Sequence, residues 1–313
     1  MLEEVTEEVR SMHHKDLISF EHYSAQDLWE ILETALQLKR ELRAGIAHRM
    51  LEGKTLAMIF QKPSLRTRVS FEVGMTQLGG HAIYLSPDDI KLGQRETTED
   101  IAKVLSRYCD AIMARVFGHE IVEELARYAD VPVINGLSDL LHPCQILGDL
   151  LTVYEKKRRI ENLKLAWIGD GNNVCNSWLE AGPKLGMEIV VACPAGYEPN
   201  AKILEQAQRL GKVEIVHDPK IAAKDADILY TDVWTSMGQE REAEERRKRF
   251  RDFQINRELL KLAKPEAIVM HCLPAHYDEE ITHDVAHGPQ SAIFDEAENR
   301  LHAQKAVLAL LMR

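Results

Sequence analysis

Short apolar runs alternate with longer amphipathic segments along most of the chain. In the first half the apolar runs are TLAMIF, HAIYLS, AIMARVF and VPVINGL, and in the second half they are KLAWIGD, MEIVVAC, VEIVH, DILYTDVW and AIVMHCL. Each run has the length and composition of a buried strand, whereas the segments between the runs carry apolar residues at helical spacing. Strands that alternate with helices build parallel sheets covered on both faces, so the pattern predicts an α/β fold.

The length of the chain, 313 residues, exceeds what one ordinary hydrophobic core supports. We therefore expect two doubly wound parallel-sheet domains, spanning residues 1–150 and 151–313. The segment HPCQILGDLLTVYEKKRR is predicted to form one long helix that joins the two halves. The last helix, at about 297–313, has a strongly amphipathic pattern and is expected to pack back on the first domain.

Three local signals refine the helices. Ser24 is suited to cap a helix over residues 25–44, and Thr97 followed by Asp100 indicates a second cap. The charged run QEREAEERRKRFR, at 239–251, is expected to be the solvated face of a helix rather than a surface for polyanions.

Composition and charge exclude several classes of function. The formal net charge of −11 argues against a general nucleic-acid binder. The five cysteines are scattered without a C-x-x-C pair, which is typical of a reduced intracellular protein. No stretch of 18 apolar residues occurs, and the first residues lack the apolar segment of a signal peptide. We expect a cytoplasmic protein that does not bind membranes.

Polar segments with chemical potential follow six of the predicted strands. Because ligands of open α/β sheets bind at the carboxyl ends of the strands, these segments predict one site. Half of them belong to each half of the chain, which places the site in the cleft between two domains. The segments are PSLRTR, the end of AIMAR, HPCQ, GDGNN, DVWTSMG and HCLPAH.

The segment PSLRTR places Arg66 and Arg68 in the first turn of a predicted helix, where the helix dipole disfavours cations. Either both arginines point into solvent or the site binds an anion. A helix N-terminus, the hydroxyls of Ser64 and Thr67 and the fork of Arg66 together suit a phosphate. Arg68 is better suited to a structural salt bridge than to a substrate contact.

Other interpretations of the same segments are a nicotinamide-dependent dehydrogenase, a zinc site, a covalent cysteine enzyme and a binder without catalysis. The pattern Gly169-x-Gly171-x-x-Val174 resembles a dinucleotide fingerprint but lacks its third glycine. Neighbouring His271 and Cys272 are expected to point to opposite faces of a strand, which suits zinc poorly. A nucleophilic Cys272 requires an activating base. A binder of phosphate or of an amino acid predicts binding without turnover.

Four motifs together resemble the ornithine branch of the aspartate/ornithine carbamoyltransferase family. They are Ser64-Leu65-Arg66-Thr67-Arg68, His142-Pro143-Cys144-Gln145, Asp232-Val233-Trp234-Thr235-Ser236-Met237-Gly238 and His271-Cys272-Leu273-Pro274. The first two resemble the part of the family that binds carbamoyl phosphate, and the last two resemble the ornithine branch. The resemblance extends over essentially the whole chain.

The resemblance implies transfer of the carbamoyl group from carbamoyl phosphate to the δ-amine of L-ornithine, giving L-citrulline and phosphate in arginine metabolism. It implies no metal or organic cofactor, and a homotrimer or an assembly of trimers. The family's catalytic positions correspond to Arg115, His142, Gln145, Asp232, Cys272 and Arg300. Its carbamoyl phosphate contacts correspond to Ser64, Leu65, Arg66, Thr67, Lys91, Arg115, His142, Pro143, Cys144, Gln145, Cys272, Leu273 and Arg300.

For ornithine, the resemblance implies contacts with Asn173, Asp232, Ser236 and Met237. The sequence alone does not separate the role of Asn172 from that of its neighbour Asn173. Lys91 corresponds to a position that reaches a neighbouring subunit's site in the family, and the alternative is a solvated loop lysine. The Ser-Met-Gly segment is expected to be a lid over the ornithine pocket.

Overall fold

The computed structural model describes residues 14–90, 96–236 and 238–313. The first half contains a sheet of four parallel strands in the order β2-β1-β3-β4. Its strands are β1 (Thr55–Phe60), β2 (His81–Leu85), β3 (Ala111–Arg115) and β4 (Val133–Leu137). Strand β3 is buried along its whole length, as expected for a strand covered on both faces.

The second half contains a sheet of five parallel strands in the order β7-β6-β5-β8-β9. Its strands are β5 (Lys164–Ile168), β6 (Glu188–Ala192), β7 (Val213–Val216), β8 (Ile228–Thr231) and β9 (Ile268–His271). Each apolar run identified in the sequence contains one of these strands. The predicted α/β fold with two doubly wound parallel sheets is therefore confirmed.

Helices cover both sheets. In the first half they are α1 (Ala25–Arg43), α2 (Leu65–Gln77), α3 (Pro87–Ile90), α4 (Thr98–Tyr108), α5 (His119–Tyr128) and α6 (Pro143–Lys157). In the second half they are α7 (Asn173–Ala181), α8 (Ala201–Leu210), α9 (Pro219–Ala223), α10 (Ala243–Phe250), α11 (Arg257–Leu260), α12 (His283–Ala286) and α13 (Ile293–Leu311). Two short 3₁₀ turns lie at Pro183–Leu185 and Glu240–Glu242.

Both predicted caps are present. Ser24 and Asp27 form a reciprocal capping box at the start of α1. The hydroxyl of Thr97 accepts a hydrogen bond of 3.1 Å from the backbone N–H of Asp100 at the start of α4. Both caps could be predicted from the sequence because each depends on two residues that are only three positions apart.

The last helix differs from its prediction. Helix α13 begins at Ile293 and packs against α1, α2 and α6. It is buried on most sides instead of presenting a polar face to solvent, because its polar side chains meet polar partners. Asn299 accepts a hydrogen bond of 2.6 Å from Lys39, and Lys305 donates one of 2.9 Å to Gln77.

The charged run at 239–251 is mostly exposed, with two exceptions. Phe250 is buried in an apolar cluster, and the buried guanidinium of Arg246 lies 2.9 Å from a carboxylate oxygen of Asp170. The prediction of a solvated helix face is therefore wrong for these two side chains. All five cysteines are free thiols. In the part of the chain that the structure describes, no helix is both long and apolar enough to span a bilayer.

Candidate active site

A pocket of about 1070 Å³ lies between the two halves of the molecule. It opens at the carboxyl ends of strands from both sheets, so both halves supply its lining. From the first half it is lined by Ser64–Thr67, Arg115, His142 and Gln145, and from the second by Asn172, Asn173, Asp232, Ser236, Cys272, Leu273 and Arg300. The chain thus brings together most of the polar residues that the sequence singled out.

The segment after β1 turns directly into helix α2. The backbone of Ser64 is extended, and its hydroxyl accepts the N–H of Thr67 at 3.2 Å, which caps the helix. The free N–H groups of this first turn, together with Arg66, lie at the pocket. Leu65 also lines the pocket, and it is 76% exposed.

Two guanidinium groups contact the buried hydroxyl of Thr67, and the guanidinium of Arg66 is near enough to act on the charges of both. Arg115 donates to its oxygen at 3.4 Å, and Arg300 approaches the same oxygen at 3.5 Å. Burial lowers the pKa of Arg115, and the charges of Arg300 and Arg66 lower it further. Burial also lowers the pKa of Arg300, and the charge of Arg66 contributes to that shift. Positive charges crowded in this way repel one another unless an anion lies between them. The cluster therefore suits the binding of an anion.

His142 lies beside this cluster and is 4% exposed. Burial and the charges of Arg300, Arg115 and Arg66 hold its pKa well below the ordinary value of 6.5, so the ring is neutral. Its Nδ1 atom has no hydrogen-bond partner among the residues that the structure describes. A neutral imidazole supplies an N–H donor without adding a fourth positive charge.

The rest of the His-Pro-Cys-Gln motif has divided roles. Gln145 accepts a hydrogen bond of 2.6 Å from Arg300 and lines the pocket. Pro143 is the first residue of α6, and Cys144 is fully buried with its sulfur 3.3 Å from the carbonyl of Asn135. The side chains of Pro143 and Cys144 do not line the pocket, although the sequence had assigned both residues to carbamoyl phosphate.

Asp232 is held by three donors at the opposite side of the pocket. They are Asn172 at 2.7 Å, the backbone N–H of Val233 at 2.8 Å and the thiol of Cys272 at 3.0 Å. Burial and the carboxylate of Asp232 raise the pKa of Cys272 well above its ordinary value. Cys272 is therefore a protonated thiol, which does not favour the hypothesis of a covalent nucleophile.

The structure separates the role of Asn172 from that of Asn173, which the sequence alone had not done. Its amide oxygen caps α7 by accepting two backbone N–H bonds, while its amide nitrogen binds Asp232. The amide nitrogen of Asn173 donates a hydrogen bond of 2.7 Å to the carbonyl of Ser138. Asn173 and Ser236 both line the pocket. Lys91 and Met237 lie outside the described residues.

The turn after β9 is locked by His271, which is fully buried. Its Nδ1 accepts the N–H of Leu273 at 2.9 Å, so Nε2 carries the hydrogen donated to Glu280 at 3.0 Å. Strand β9 ends at His271, and Leu273 has a φ of +58°. Possible ligand atoms of Asp232, His271 and Cys272 lie within 4.8 Å of one another, so the prediction that neighbouring His271 and Cys272 diverge is wrong. Both nitrogens of His271 are nevertheless already paired.

Two ion pairs flank the pocket and were not identified from the sequence. Arg246 binds Asp170, and Lys62 binds Asp139 at 2.6 Å. Burial raises the pKa of Asp170 to about 6 even though Arg246 opposes the rise. Because the partners are 76 or 77 residues apart, no local pattern could have revealed either pair.

Arg68, by contrast, turns away from the pocket. Its Nε lies 2.9 Å from a carboxylate oxygen of Glu72, and its guanidinium stacks on the ring of Tyr84 at 3.9 Å. The predicted structural salt bridge of Arg68 is confirmed.

Comparison with known proteins identifies both halves of the chain. Residues 15–155 match the carbamoyl-P binding domain, and residues 161–311 the Asp/Orn binding domain, of aspartate/ornithine carbamoyltransferase. An ornithine carbamoyltransferase of Pyrococcus abyssi is 59% identical, with 97% of this chain and 98% of the relative aligned. A Pyrococcus furiosus relative described as "ornithine carbamoyltransferase, anabolic" is also 59% identical over the same shares.

The solved structure of ornithine carbamoyltransferase from Pyrococcus furiosus superposes with a TM-score of 0.95 at 58% identity. The match covers 97% of this chain and 99% of that one. Agreement at this level extends over both sheets and the pocket between them. The chain therefore belongs to the aspartate/ornithine carbamoyltransferase family.

Proposed function

We propose that this protein is an ornithine carbamoyltransferase, which converts carbamoyl phosphate and L-ornithine into L-citrulline and phosphate in arginine biosynthesis. The observation that carries the proposal is the cluster of Arg66, Arg115 and Arg300 around Thr67, which faces the anchored carboxylate of Asp232 across one pocket. A site with an anion pole and a cation-binding pole suits a phosphate donor and an amine acceptor. The names of the Pyrococcus relatives support the same activity.

Carbamoyl phosphate occupies the positive pole. Its phosphate binds the first turn of α2, where Ser64, Leu65, Arg66 and Thr67 supply backbone and side-chain donors. Pro143 and Cys144 act indirectly, by setting the start of α6 that presents His142 and Gln145.

The reaction is direct acyl transfer. As the δ-amine attacks the carbamoyl carbon, negative charge develops on the carbonyl oxygen, which Arg115, Thr67 and neutral His142 stabilise. Preorganised donors of this kind contribute roughly 3 kcal/mol each to the transition state. Gln145, together with the backbone carbonyls near Cys272 and Leu273, orients the carbamoyl NH₂ group, and Arg300 holds the departing phosphate.

Ornithine occupies the negative pole. Asp232 and Ser236 bind the α-ammonium group, and Asn173 with the backbone of Met237 binds the α-carboxylate. Asp232 and Cys272, which share a hydrogen bond, guide the δ-amine. The δ-amine must lose its proton to attack, and its ordinary pKa is near ~10.4, so turnover should rise with pH. The Ser-Met-Gly segment closes over this pole.

We further propose that the first domain comprises residues 1–150, the second 151–313, and that the protein forms a homotrimer or an assembly of trimers in the cytoplasm. An exposed apolar stripe along α2 supports subunit contacts: Leu65, Val69 and Val73 recur at one face of the helix, next to the phosphate turn. A lysine such as Lys91 is then able to enter a neighbouring subunit's pocket.

The matched variants Arg66→Ala and Arg68→Ala test this assignment. Purified protein is expected to form citrulline and phosphate in equal amounts from carbamoyl phosphate and ornithine. Arg66→Ala should raise the Kd for carbamoyl phosphate by about 100-fold, because a charge-assisted contact is worth up to about 3 kcal/mol. Arg68→Ala removes an equal charge outside the pocket and should leave that Kd unchanged. Equal effects of the two variants would contradict the phosphate assignment.

A further inference from the structure

Two carboxyl groups lie directly behind the carbamoyl phosphate pole without lining the pocket. Asp149 on α6 and Glu296 on α13 are at most 1% exposed. The amide nitrogen of Gln145 donates to both of them, at 2.8 Å to Asp149 Oδ1 and 2.8 Å to Glu296 Oε1. No step of the proposed reaction uses either acid, yet both touch a residue of the pocket.

Counting hydrogens shows that one of the acids is protonated. The hydroxyl of Tyr230 lies 2.8 Å from Asp149 Oδ2 and 3.0 Å from Glu296 Oε1, and the backbone N–H of His271 donates to Glu296 Oε2 at 3.0 Å. With the two bonds from Gln145, the acids make five contacts. Gln145, Tyr230 and the His271 backbone supply only four hydrogens. The fifth hydrogen must be an acid proton.

The geometry also indicates where that proton lies. Both oxygens of Glu296 already accept hydrogen bonds, from Gln145 and from the backbone of His271. Asp149 Oδ2, in contrast, contacts the Tyr230 hydroxyl, and the side chains of Asp149 and Glu296 also interact directly with each other. A proton on Asp149 Oδ2 donates to Tyr230, whose own hydrogen then goes to Glu296 Oε1. Every polar atom of the group is satisfied in this arrangement.

Electrostatics agrees with one retained proton. Burial raises the pKa of Asp149 to about 7, and it raises the pKa of Glu296 as well, to which the neighbouring charge of Asp149 adds. Other titratable groups face the pair from each packed element: Arg300 on α13, Tyr230 on β8, and Cys272 after β9. One negative charge on the pair matches the single positive charge of Arg300.

We propose that protonated Asp149 and ionised Glu296, linked through Tyr230, are positioning residues that aim Gln145 and Arg300 at carbamoyl phosphate. This inference rests on the proposed function. Because the two acids occupy both hydrogens of the Gln145 amide nitrogen, its oxygen must face Arg300, which binds it at 2.6 Å. The same oxygen is thereby presented to the pocket. The acids act on the substrate only through these two side chains.

Amide isosteres distinguish the two acids. Asp149→Asn keeps an acceptor for Gln145 and supplies an N–H donor to Tyr230 in place of the acid proton. We expect its kcat/KM for carbamoyl phosphate to stay within about threefold of the wild type. Glu296→Gln replaces one of the two acceptor oxygens by an NH₂ donor, which then faces another donor, either the Gln145 amide or the N–H of His271. This variant should lower kcat/KM about 100-fold. Asp149→Ala removes both bonds and should resemble Glu296→Gln, so that asparagine rescues what alanine loses.

Infrared difference spectroscopy provides a readout that does not need turnover. The wild-type spectrum at neutral pH should contain the carbonyl stretch of a buried protonated carboxyl that is missing from the Asp149→Asn spectrum. Any band from Glu180, whose pKa burial raises to about 7, should be common to both proteins. Glu298→Gln serves as the matched control on α13, because the partly exposed Glu298 pairs with Lys39 and Arg43 and does not line the pocket. Its spectrum and kinetics should equal those of the wild type.

The proposal is overturned if the spectra of the wild type and Asp149→Asn do not differ by a protonated-carboxyl band, or if Asp149→Asn is as damaging as Glu296→Gln. It is also overturned if Glu296→Gln, with an unchanged thermal midpoint, keeps full kcat/KM for carbamoyl phosphate. If the wild type does not form citrulline at all, the proposed function fails, while the infrared band still tests the protonation of Asp149.

Discussion

At the residue scale, the contact between Cys272 and Asp232 limits the chemistry available to the thiol. The sulfur donates to the carboxylate at 3.0 Å, and the resulting rise in the pKa of Cys272 keeps it protonated. A thiol that donates to a carboxylate holds that carboxylate in place and does not attack a carbonyl carbon.

Cys272→Ser should therefore remain an active enzyme. A serine hydroxyl donates to Asp232 as the thiol does, so we expect kcat to fall by no more than about tenfold. Asp232→Asn, the comparison variant, removes the charge that binds the α-ammonium group and should raise the KM for ornithine far more than that for carbamoyl phosphate. Complete loss of citrulline formation in a folded Cys272→Ser variant would support covalent catalysis instead. Steady-state kinetics with each substrate varied makes the distinction.

Residue roles were predictable where a motif is contiguous. Ser64 and Thr67 are three positions apart, so their part in one helix turn could be predicted from the sequence alone. The double duty of Asn172, which caps α7 and binds Asp232, was not predictable, because Asp232 is 60 residues away. A larger separation, of 151 residues, hid the link from Gln145 to Glu296.

At the scale of elements, helix α7 ties the second half to the segment that precedes α1. The carboxylate of Glu180 accepts the backbone N–H of Phe20 at 2.8 Å, and Lys184 in the 3₁₀ turn after α7 binds backbone carbonyls of the same segment, including that of Tyr23 at 2.7 Å. Burial raises the pKa of Glu180 from 4.5 to about 7. The folded state thus binds this proton more tightly than the unfolded state does.

The contribution of Glu180 to the free energy of unfolding of the wild type should consequently fall as pH rises from about 4.5 to about 7. Glu180→Gln removes this contribution while its amide oxygen still accepts from Phe20. Relative to the wild type, the variant should gain up to roughly 3 kcal/mol of unfolding free energy between pH 4.5 and pH 8. Denaturant unfolding at several pH values measures this gain, with Glu205→Gln on exposed α8 as the control. A difference that does not change with pH would contradict the assignment.

The elements also show what periodicity does and does not predict. Strands such as β1 and β3 are short apolar runs, and their burial on both faces follows from composition. Helix α13 was predicted to be strongly amphipathic and to pack back on the first domain. Its partners come from α1, α2 and α6, and only the folded chain reveals that polar residues meet polar residues there.

At the scale of the whole molecule, the pocket depends on both halves at once. The first half supplies the turn at Ser64–Thr67 with Arg115, and the second supplies Asp232 with Cys272. The rule that ligands bind at the carboxyl ends of parallel strands was sufficient to predict this cleft. Arg300 crosses between the halves, since α13 follows the second sheet yet places its guanidinium beside Thr67.

The central claim, that the acceptor is ornithine, is tested most directly by comparing acceptors at saturating carbamoyl phosphate. Putrescine keeps both amines of ornithine and lacks only the α-carboxylate. A site that binds polar substrate groups rejects analogues lacking them by roughly 10⁴-fold, because its own polar groups are left unpaired. We expect the kcat/KM for putrescine to be lower than that for ornithine by about this factor. Comparable kcat/KM values for putrescine and ornithine would contradict it.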